Sequence, residues 1–279
     1  MRGTRRALGC LFAVLLVCGC AGSPPAPTAT ERQAVALNQR ATRAFEQGDY
    51  RRSAALYESA LRLNIAIENV DGIAANALSL ARAHQAGDDA PAAHRALDRL
   101  LANGPLEFPP ARRAEAQARK TLLYLDAGDT ARAAESSKQA LASCGECPAM
   151  AAIQVLSGRA ALAAGDYAAA LEWAARALAA SASAQPVERA NALRLTGEAR
   201  LARGEHQAAL QPLEQALEID RSIGLPARIF RDLMALGRVQ VQLGNRVAAR
   251  NLFTRAREVS EAAGNVEGVR AAGRAADGL

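Results

Sequence analysis

The side chains whose spacing most clearly suggests chemistry are those of Cys144 and Cys147, in the segment Cys-Gly-Glu-Cys-Pro. Two cysteines separated by two residues can form a redox dithiol, half of a zinc site or a structural disulfide. Haem attachment would require His where Pro148 stands. A zinc site would require further ligands, and the other thiols of the chain lie within its first 20 residues. The pair therefore predicts a structural disulfide, with a redox dithiol as the alternative.

No other segment carries a catalytic or cofactor signature. The three histidines, His84, His94 and His206, lack the carboxylate–histidine spacing of metal ligands. The chain has neither a Gly-rich phosphate loop nor a Gly-x-Ser-x-Gly motif. We therefore expect no catalytic residue, no metal and no cofactor. The single tryptophan, Trp173, is interpreted as packing between helices, with an exposed anchor as the alternative.

Composition favours a thin helical protein. Hydrophobic residues make up 50% of the 279 residues and aromatic residues only 4%, so alanine supplies much of the apolar content. Alanine forms helices readily and lets them approach closely, but few large side chains remain for one thick core. The net charge of +6 includes three arginines near the N-terminus. The remaining +3 is too small to indicate nucleic-acid binding.

The N-terminus has the parts of a secretory leader. A basic start is followed by an apolar run at residues 8–17 and then by Val-Cys-Gly-Cys, which ends at Cys20. The run is too short for a stable membrane-spanning helix. The last four residues resemble the lipobox of bacterial lipoproteins, whose final Cys is acylated. We therefore predict a signal peptide at residues 1–19 and lipidation of Cys20, with an ordinary signal peptide as the alternative.

Residues 20–30 are predicted to form a flexible linker. After Cys20 the segment reads Ala-Gly-Ser-Pro-Pro-Ala-Pro-Thr-Ala-Thr, which has no apolar period and suits an extended tether. The residue after Cys20 is Ala21 and not Asp, which resembles sorting of Gram-negative lipoproteins to the outer membrane. Several acyl chains on one Cys would anchor the chain stably to that membrane, and the folded domain would face the periplasm.

One turn-like pattern recurs six times along the rest of the chain. Its glycines are Gly48, Gly87, Gly128, Gly165, Gly204 and Gly244. A period near 40 residues indicates a solenoid, in which each Gly ends one helix in the left-handed conformation and the next residue caps the following helix. Small residues also recur seven residues before and five residues after most of these glycines, where the two helices of a hairpin must cross closely.

These positions resemble the tetratricopeptide repeat, with Gly-Asp-Tyr in the turn and an aromatic late in the second helix, a place that Tyr57 and Phe253 occupy. The period is similar to that of the longer repeats of kinesin light chains. The resemblance implies an all-α fold, a right-handed superhelical α-solenoid of about six helix-turn-helix repeats over residues 31–264. Residues 265–279 are predicted to form a capping helix and tail. Pro212 falls inside a predicted helix, where we expect a local kink.

The resemblance also implies a concave groove, formed by first-helix residues 13, 10, 6 and 3 before each turn glycine. In repeats four to six the candidate partner-binding residues are Arg159, Asn191, Arg194, Glu198, Arg231, Met234 and Arg238. In repeats one to three the corresponding residues are mostly small or apolar: Val35, Asn38, Thr42, Phe45, Ala74, Ala77, Ala81, His84, Glu115, Ala118, Leu122 and Leu125. We hypothesise that the Arg-rich half grips an acidic or C-terminal peptide segment through charge-assisted hydrogen bonds.

These features predict an outer-membrane-anchored, periplasm-facing scaffold that binds other envelope proteins and no nucleic acid. It resembles lipoproteins of pilus assembly, outer-membrane protein assembly and peptidoglycan-enzyme regulation. Two alternatives differ in class. One is a periplasmic thiol-disulfide protein that uses Cys144 and Cys147. The other is a helical-repeat domain that binds glycan, against which the low aromatic content argues.

Overall fold

The computed structural model describes residues 26–181 and 185–279, and this part of the chain consists of thirteen helices joined by short turns and loops. The helices are α1 Ala29–Glu46, α2 Tyr50–Ala66, α3 Val70–Ala86, α4 Ala90–Leu101, α5 Pro110–Asp126, α6 Thr130–Cys144, α7 Met150–Ala163, α8 Tyr167–Ala180, α9 Pro186–Ala202, α10 His206–Ile223, α11 Pro226–Gln242, α12 Arg246–Ala262 and α13 Val266–Asp277. The predicted signal peptide and Cys20 lie outside the described residues. No helix in the described part has the length and apolar content that a bilayer crossing requires.

The helices pack as a linear array of hairpins. Each helix from α1 to α12 contacts the next one in the chain, and α13 contacts α12. The odd-numbered helices also contact one another from α3 to α11, so the first helices of neighbouring hairpins form a continuous layer. This arrangement is the predicted all-α solenoid of six hairpins, which is confirmed.

The linker ends earlier than predicted. Helix α1 begins at Ala29, inside the segment that was assigned to the linker through Thr30. A capping box explains the earlier start. The hydroxyl of Thr28 accepts a hydrogen bond from the backbone N–H of Glu31, and the Glu31 carboxylate accepts one from the backbone N–H of Thr28.

Five of the six predicted turn glycines have the expected left-handed φ, between 72° and 81°. The exception is Gly87, whose φ is −93°, while the left-handed residue of that turn is Asp88 with φ 60°. Asp89 then caps α4 by accepting a hydrogen bond from the backbone N–H of Ala92. The turn of repeat two therefore lies one residue later than predicted.

This one-residue shift restores the pattern of small residues in repeat two. Counted from Asp88, the position seven residues before the turn is Ala81 and the position five residues after it is Ala93; both are fully buried. Counted from Gly87, the first of these positions falls on the bulkier Leu80. Repeat two thus follows the common pattern more closely than its sequence suggested.

In the last three hairpins the close crossing of two helices falls on a glycine. A methyl group added to Gly158, Gly197 or Gly237 would overlap the side chain of Leu195, Leu213 or Phe253, respectively. Phe253 is among the largest fully buried side chains of the described residues. The absence of a side chain at these glycines gives larger residues on neighbouring helices their room.

Pro212 lies within α10, which continues from His206 to Ile223. Proline has no N–H to donate to the carbonyl oxygen four residues earlier, which here belongs to Ala208. The Arg200 guanidinium of α9 donates a hydrogen bond of 2.9 Å to this oxygen. A side chain of the same hairpin therefore satisfies the carbonyl that Pro212 leaves without its helical partner.

We expect Gly237→Ala to destabilise the protein by about 1–3 kcal/mol, since the new methyl group meets the buried ring of Phe253. Gly273→Ala in α13 is the matched control, because no atom lies within 4 Å of the added carbon. There the loss of glycine flexibility should stabilise the helix by about 0.5–1 kcal/mol. Urea unfolding of both variants measures the difference, and equal stability would contradict the close-crossing interpretation.

Candidate binding groove

The largest concave feature is a cavity of about 840 Å³ lined by five consecutive first helices. It extends from Leu78 and Gln85 on α3 to Arg228 and Arg231 on α11. An apolar stretch in between includes Leu122 of α5 and Leu156 of α7. We call this cavity, with its lining residues, the groove.

In repeat two the predicted groove residues are wrong. Ala74, Ala77 and Ala81 are fully buried in the core, and His84 lines a different cavity beside Tyr50. The shifted turn explains the error. Positions ten and three residues before Asp88 are Leu78 and Gln85, and both of these line the groove.

Repeat three adds charge to a half that was predicted to be mostly small or apolar. The predicted residues Glu115, Ala118 and Leu122 do line the groove, and Arg119 and Asp126 lie beside them. The Asp126 carboxylate accepts a 2.6 Å hydrogen bond from the Gln85 side chain. The first half of the groove is therefore less apolar than the sequence suggested.

Five of the seven candidate residues in repeats four to six line the groove: Arg159, Asn191, Arg194, Glu198 and Arg231. Met234 does not line it and packs against the apolar cluster of α10 to α12. Arg238 is exposed and lines a separate shallow pocket with His206 and Val241. The sixth repeat thus reaches the groove through the N-terminal half of α11.

The sequence analysis missed Glu188 and Arg228, which also line the groove. Each lies sixteen residues before its turn glycine, one helical turn before the first position that was considered. Extending the same helical face by one turn would have found both. With them, this half of the groove holds acids as well as arginines.

Arg194 is not a free groove cation, and this is the main correction to the predicted site. Only 6% of the residue is exposed, and its guanidinium forms ion pairs with the carboxylates of Asp220 on α10 and Asp232 on α11. Both Asp residues are fully buried. Arg194 therefore joins three helices of repeats five and six, and its charge is used inside the protein.

Burial has opposite effects on the two sides of this cluster. Burial raises the pKa of Asp232 to about 6, although the hydrogen bond from Arg194 acts to lower it. Burial also acts to lower the pKa of Arg194, but the hydrogen bond and charge of Asp232 outweigh it, and the net direction is upward. Arg194 is therefore charged at every physiological pH.

The buried cluster is linked to the groove wall through Asn191. The Asn191 side-chain oxygen accepts hydrogen bonds from Arg194 at 3.0 Å and from Arg228 at 2.6 Å. Its amide nitrogen donates to Glu188 at 3.1 Å. Asn191 is thus held in place from three sides, and it orients Arg228 along the wall.

The remaining groove arginines lack ion-pair partners within the described residues, where no carboxylate oxygen lies within 4.0 Å of the guanidinium nitrogens of Arg119, Arg159, Arg228 or Arg231. Desolvation and then the charges of Arg194 and Arg159 lower the pKa of Arg231. Desolvation and then the charge of Arg82 lower the pKa of Arg119. Cations are therefore crowded against one another at both ends of the groove.

Cys144 and Cys147 are joined by a disulfide, with their Cα atoms 5.0 Å apart. They lie at the corner between α6 and α7, which connects repeats three and four. Cys144 is buried in a small apolar cluster with Ala114, Ala140 and Ile153. Because Ile153 also lines the groove, the disulfide closes a corner that supports the groove wall.

The other candidate side chains occupy ordinary surroundings. The ring of His94 packs 4.9 Å from that of Tyr124, and Trp173 of α8 is half-buried with the Arg176 guanidinium over its ring. Within residues 26–181 and 185–279, no three His, Cys, Asp or Glu side chains are grouped as metal ligands would be.

We expect Arg194→Met to destabilise the protein by about 3–5 kcal/mol, because it leaves two buried carboxylates without their cation. Arg231→Met is the control on the same wall. Arg231 is exposed and has no ion pair, so its substitution should change stability by less than about 0.5 kcal/mol. Urea unfolding at pH 7 tests both, and a similar small effect of the two substitutions would contradict the structural role of Arg194.

The fold is similar to that of several solved structures. BtubC (BKLC) from P. vanneervenii aligns with a TM-score of 0.58 and 20% identity over 85% of this chain and 93% of that chain. PilW, a widely conserved type IV pilus biogenesis factor, gives 0.57 and 19% over 85% and 97%. A Rap protein complexed with competence and sporulation factor gives 0.60 and 14% over 85% and 69%. At these identities the likeness establishes the fold alone.

No curated protein matches the chain in sequence. A family model for the tetratricopeptide repeat does match, at residues 38–108 and 118–186, which together make up just over half of the chain. The repeats of this family are typically non-catalytic scaffolds for protein interactions. With the six hairpins and their small-residue crossings, this match shows that the chain belongs to the tetratricopeptide repeat family.

Proposed function

We propose that this protein is a lipid-anchored scaffold that faces the periplasm from the outer membrane and binds a segment of another envelope protein in its groove. The single observation that carries the binding function is the continuous groove of about 840 Å³, lined by the first helices of five repeats. An elongated cavity shared by five repeats suits an extended or helical segment that makes many modest contacts.

The chemistry of the groove indicates a segment with apolar and acidic side chains. Leu122 and Leu156 lie in its middle, where apolar side chains of a partner can be buried. Arg159, Arg228 and Arg231 lie toward one end and lack ion pairs within the described part of the chain. A carboxylate between them would relieve their mutual repulsion and accept charge-assisted hydrogen bonds.

The role assigned to Arg194 in the sequence passes to these three arginines. Glu188 and Glu198 lie on the same wall, so the groove is not uniformly positive. This mixture favours a partner with a defined pattern of charges over non-specific attraction of any acidic chain.

Membrane anchoring is supported by the leader and by the Val-Cys-Gly-Cys segment that ends at Cys20. Ala21 after that cysteine supports sorting to the outer membrane. A role in envelope assembly or regulation follows from this location together with a protein-binding groove. PilW, which shares the fold, is a pilus biogenesis factor, and this chain would act in a comparable setting.

We expect Arg159→Glu with Arg231→Glu to abolish capture of the partner, since two cations of the groove wall become anions. Arg246→Glu with Arg250→Glu is the matched control, because it makes the same charge change on exposed residues of the second helix α12. Crosslinking in the native host followed by quantitative mass spectrometry compares the captured proteins.

The decisive proteins are those captured by the unaltered chain and by the α12 control but lost from the groove variant. Circular dichroism of each variant verifies that the helices are intact. Equal capture by all three proteins would show that this wall of the groove does not bind the partner.

We expect metabolic labelling with an alkynyl fatty acid to mark the chain and Cys20→Ala to abolish the label, since Cys20 is the residue that the lipobox acylates. Cys18→Ala is the matched control, because it removes a thiol two residues away and leaves Cys20 in place. Membrane fractionation should show release of Cys20→Ala from the membrane. Retained label in that variant would contradict the proposed anchor.

A further inference from the structure

The buried cluster around Arg194 contains one more carboxyl group than its single guanidinium can neutralise. The Arg194 Nε donates to Asp232 Oδ1 at 2.6 Å, and its terminal nitrogen donates to Asp220 Oδ2. Both aspartates are fully buried. If both were ionised, the cluster would hold a net negative charge away from water, which is costly.

The two oxygens that face away from Arg194 show the same imbalance. Within the described residues, Asp220 Oδ1 and Asp232 Oδ2 are buried and have no hydrogen-bond partner. Ionised carboxylates contain only acceptors, so two of them cannot satisfy each other. A proton on either group would provide a donor, and the two carboxyl groups interact directly.

The surrounding charges divide between the two signs. Helix α11 contributes Arg228 and Arg231, whose charges act on Asp220 and Asp232, respectively, and favour the ionised forms. Helix α9 contributes Glu188 and Glu198, which act on Arg228 and Arg231, and α7 contributes Arg159 beyond them. Desolvation is the largest influence on Asp232 and favours its neutral form.

We propose that Asp220 and Asp232 share one proton, so that the cluster beneath the groove is a proton-binding site that makes the joint between repeats five and six sensitive to pH. With the proton bound, one carboxylate balances Arg194 and the other carboxyl group donates to its neighbour. Loss of the proton places two negative groups against each other between α10 and α11. This inference concerns the fold itself and does not depend on what the groove binds.

The direction of the pH effect follows from proton linkage. An exposed aspartate in the unfolded chain loses its proton near pH 3.9, whereas the folded cluster keeps one to about pH 6. The folded state therefore binds more protons than the unfolded state between these values. Stability from this source is fully present below about pH 4 and is lost as the pH rises through about 6.

The test is urea unfolding of the full chain from pH 4.5 to 7.5, followed by the fluorescence of Trp173, the single tryptophan. The proteins are the unaltered chain, Asp220→Asn, Asp232→Asn, the double variant and Asp277→Asn, an exposed control in α13. Asn resembles a protonated Asp, since one oxygen still accepts from Arg194 while the amide donates to the neighbouring carboxylate.

We expect the unfolding constant of the unaltered chain to rise with pH, relative to either single variant, by up to about tenfold per pH unit as one proton is lost. At pH 7 each single variant should be at least as stable as the unaltered chain. The double variant should be less stable than either, because Arg194 then has no carboxylate. Infrared spectra at pH 5 should show a protonated carboxyl band that both single variants lack.

Two ionised aspartates in the folded state would give the opposite pattern. Each single variant would then be strongly destabilised at pH 7 or fail to fold, and the unaltered chain would gain stability relative to it as the pH rises. Either result, or a pH dependence that both single variants share with the unaltered chain and with Asp277→Asn, overturns the proposal.

Discussion

Each hairpin of this protein depends on one close approach between its two helices, seven residues before the left-handed residue of the turn. The residue there is Ala41, Ala81, Thr121, Gly158, Gly197 or Gly237. The facing position, five residues after the turn, is a fully buried Ser or Ala in every repeat. Large side chains would hold the helices apart, and the next hairpin would then lose the surface on which it packs. An alanine-rich chain with few aromatics meets this requirement along its whole length.

The charged cluster of Arg194, Asp220 and Asp232 introduces a different interaction between repeats five and six. Elsewhere the layers meet through alanine and leucine, but here three helices meet through a buried ion network. Such a network is sensitive to the loss of any partner, although apolar residues of similar volume could fill the same space. It also separates the arginines of this wall by role. Arg194 stabilises the joint, while Arg159, Arg228 and Arg231 present their charges to the groove.

The groove derives its character from this division. Its floor combines apolar side chains of α5 and α7 with charges of α9 and α11, and the disulfide corner between α6 and α7 supports the middle of the wall. Similar solved structures establish that the fold is shared with a pilus biogenesis factor and with a Rap protein bound to competence and sporulation factor. Those likenesses define the scaffold, and the side chains of this chain define what its groove accepts.

The sequence by itself determined the fold class, the repeat number and most turn positions, because glycine at a left-handed turn and small residues at a crossing are local requirements that recur with the period. It also placed five of the seven candidate residues in the groove. Tertiary structure decided what helical periodicity does not determine. Asp88, not Gly87, takes the left-handed position, which moves the groove face of α3 by one residue. Arg194 turns inward because Asp220 and Asp232, 26 and 38 residues away in sequence, meet it in space. Only the packing of three helices brings these charges together, so their pairing leaves no periodic signal in the sequence.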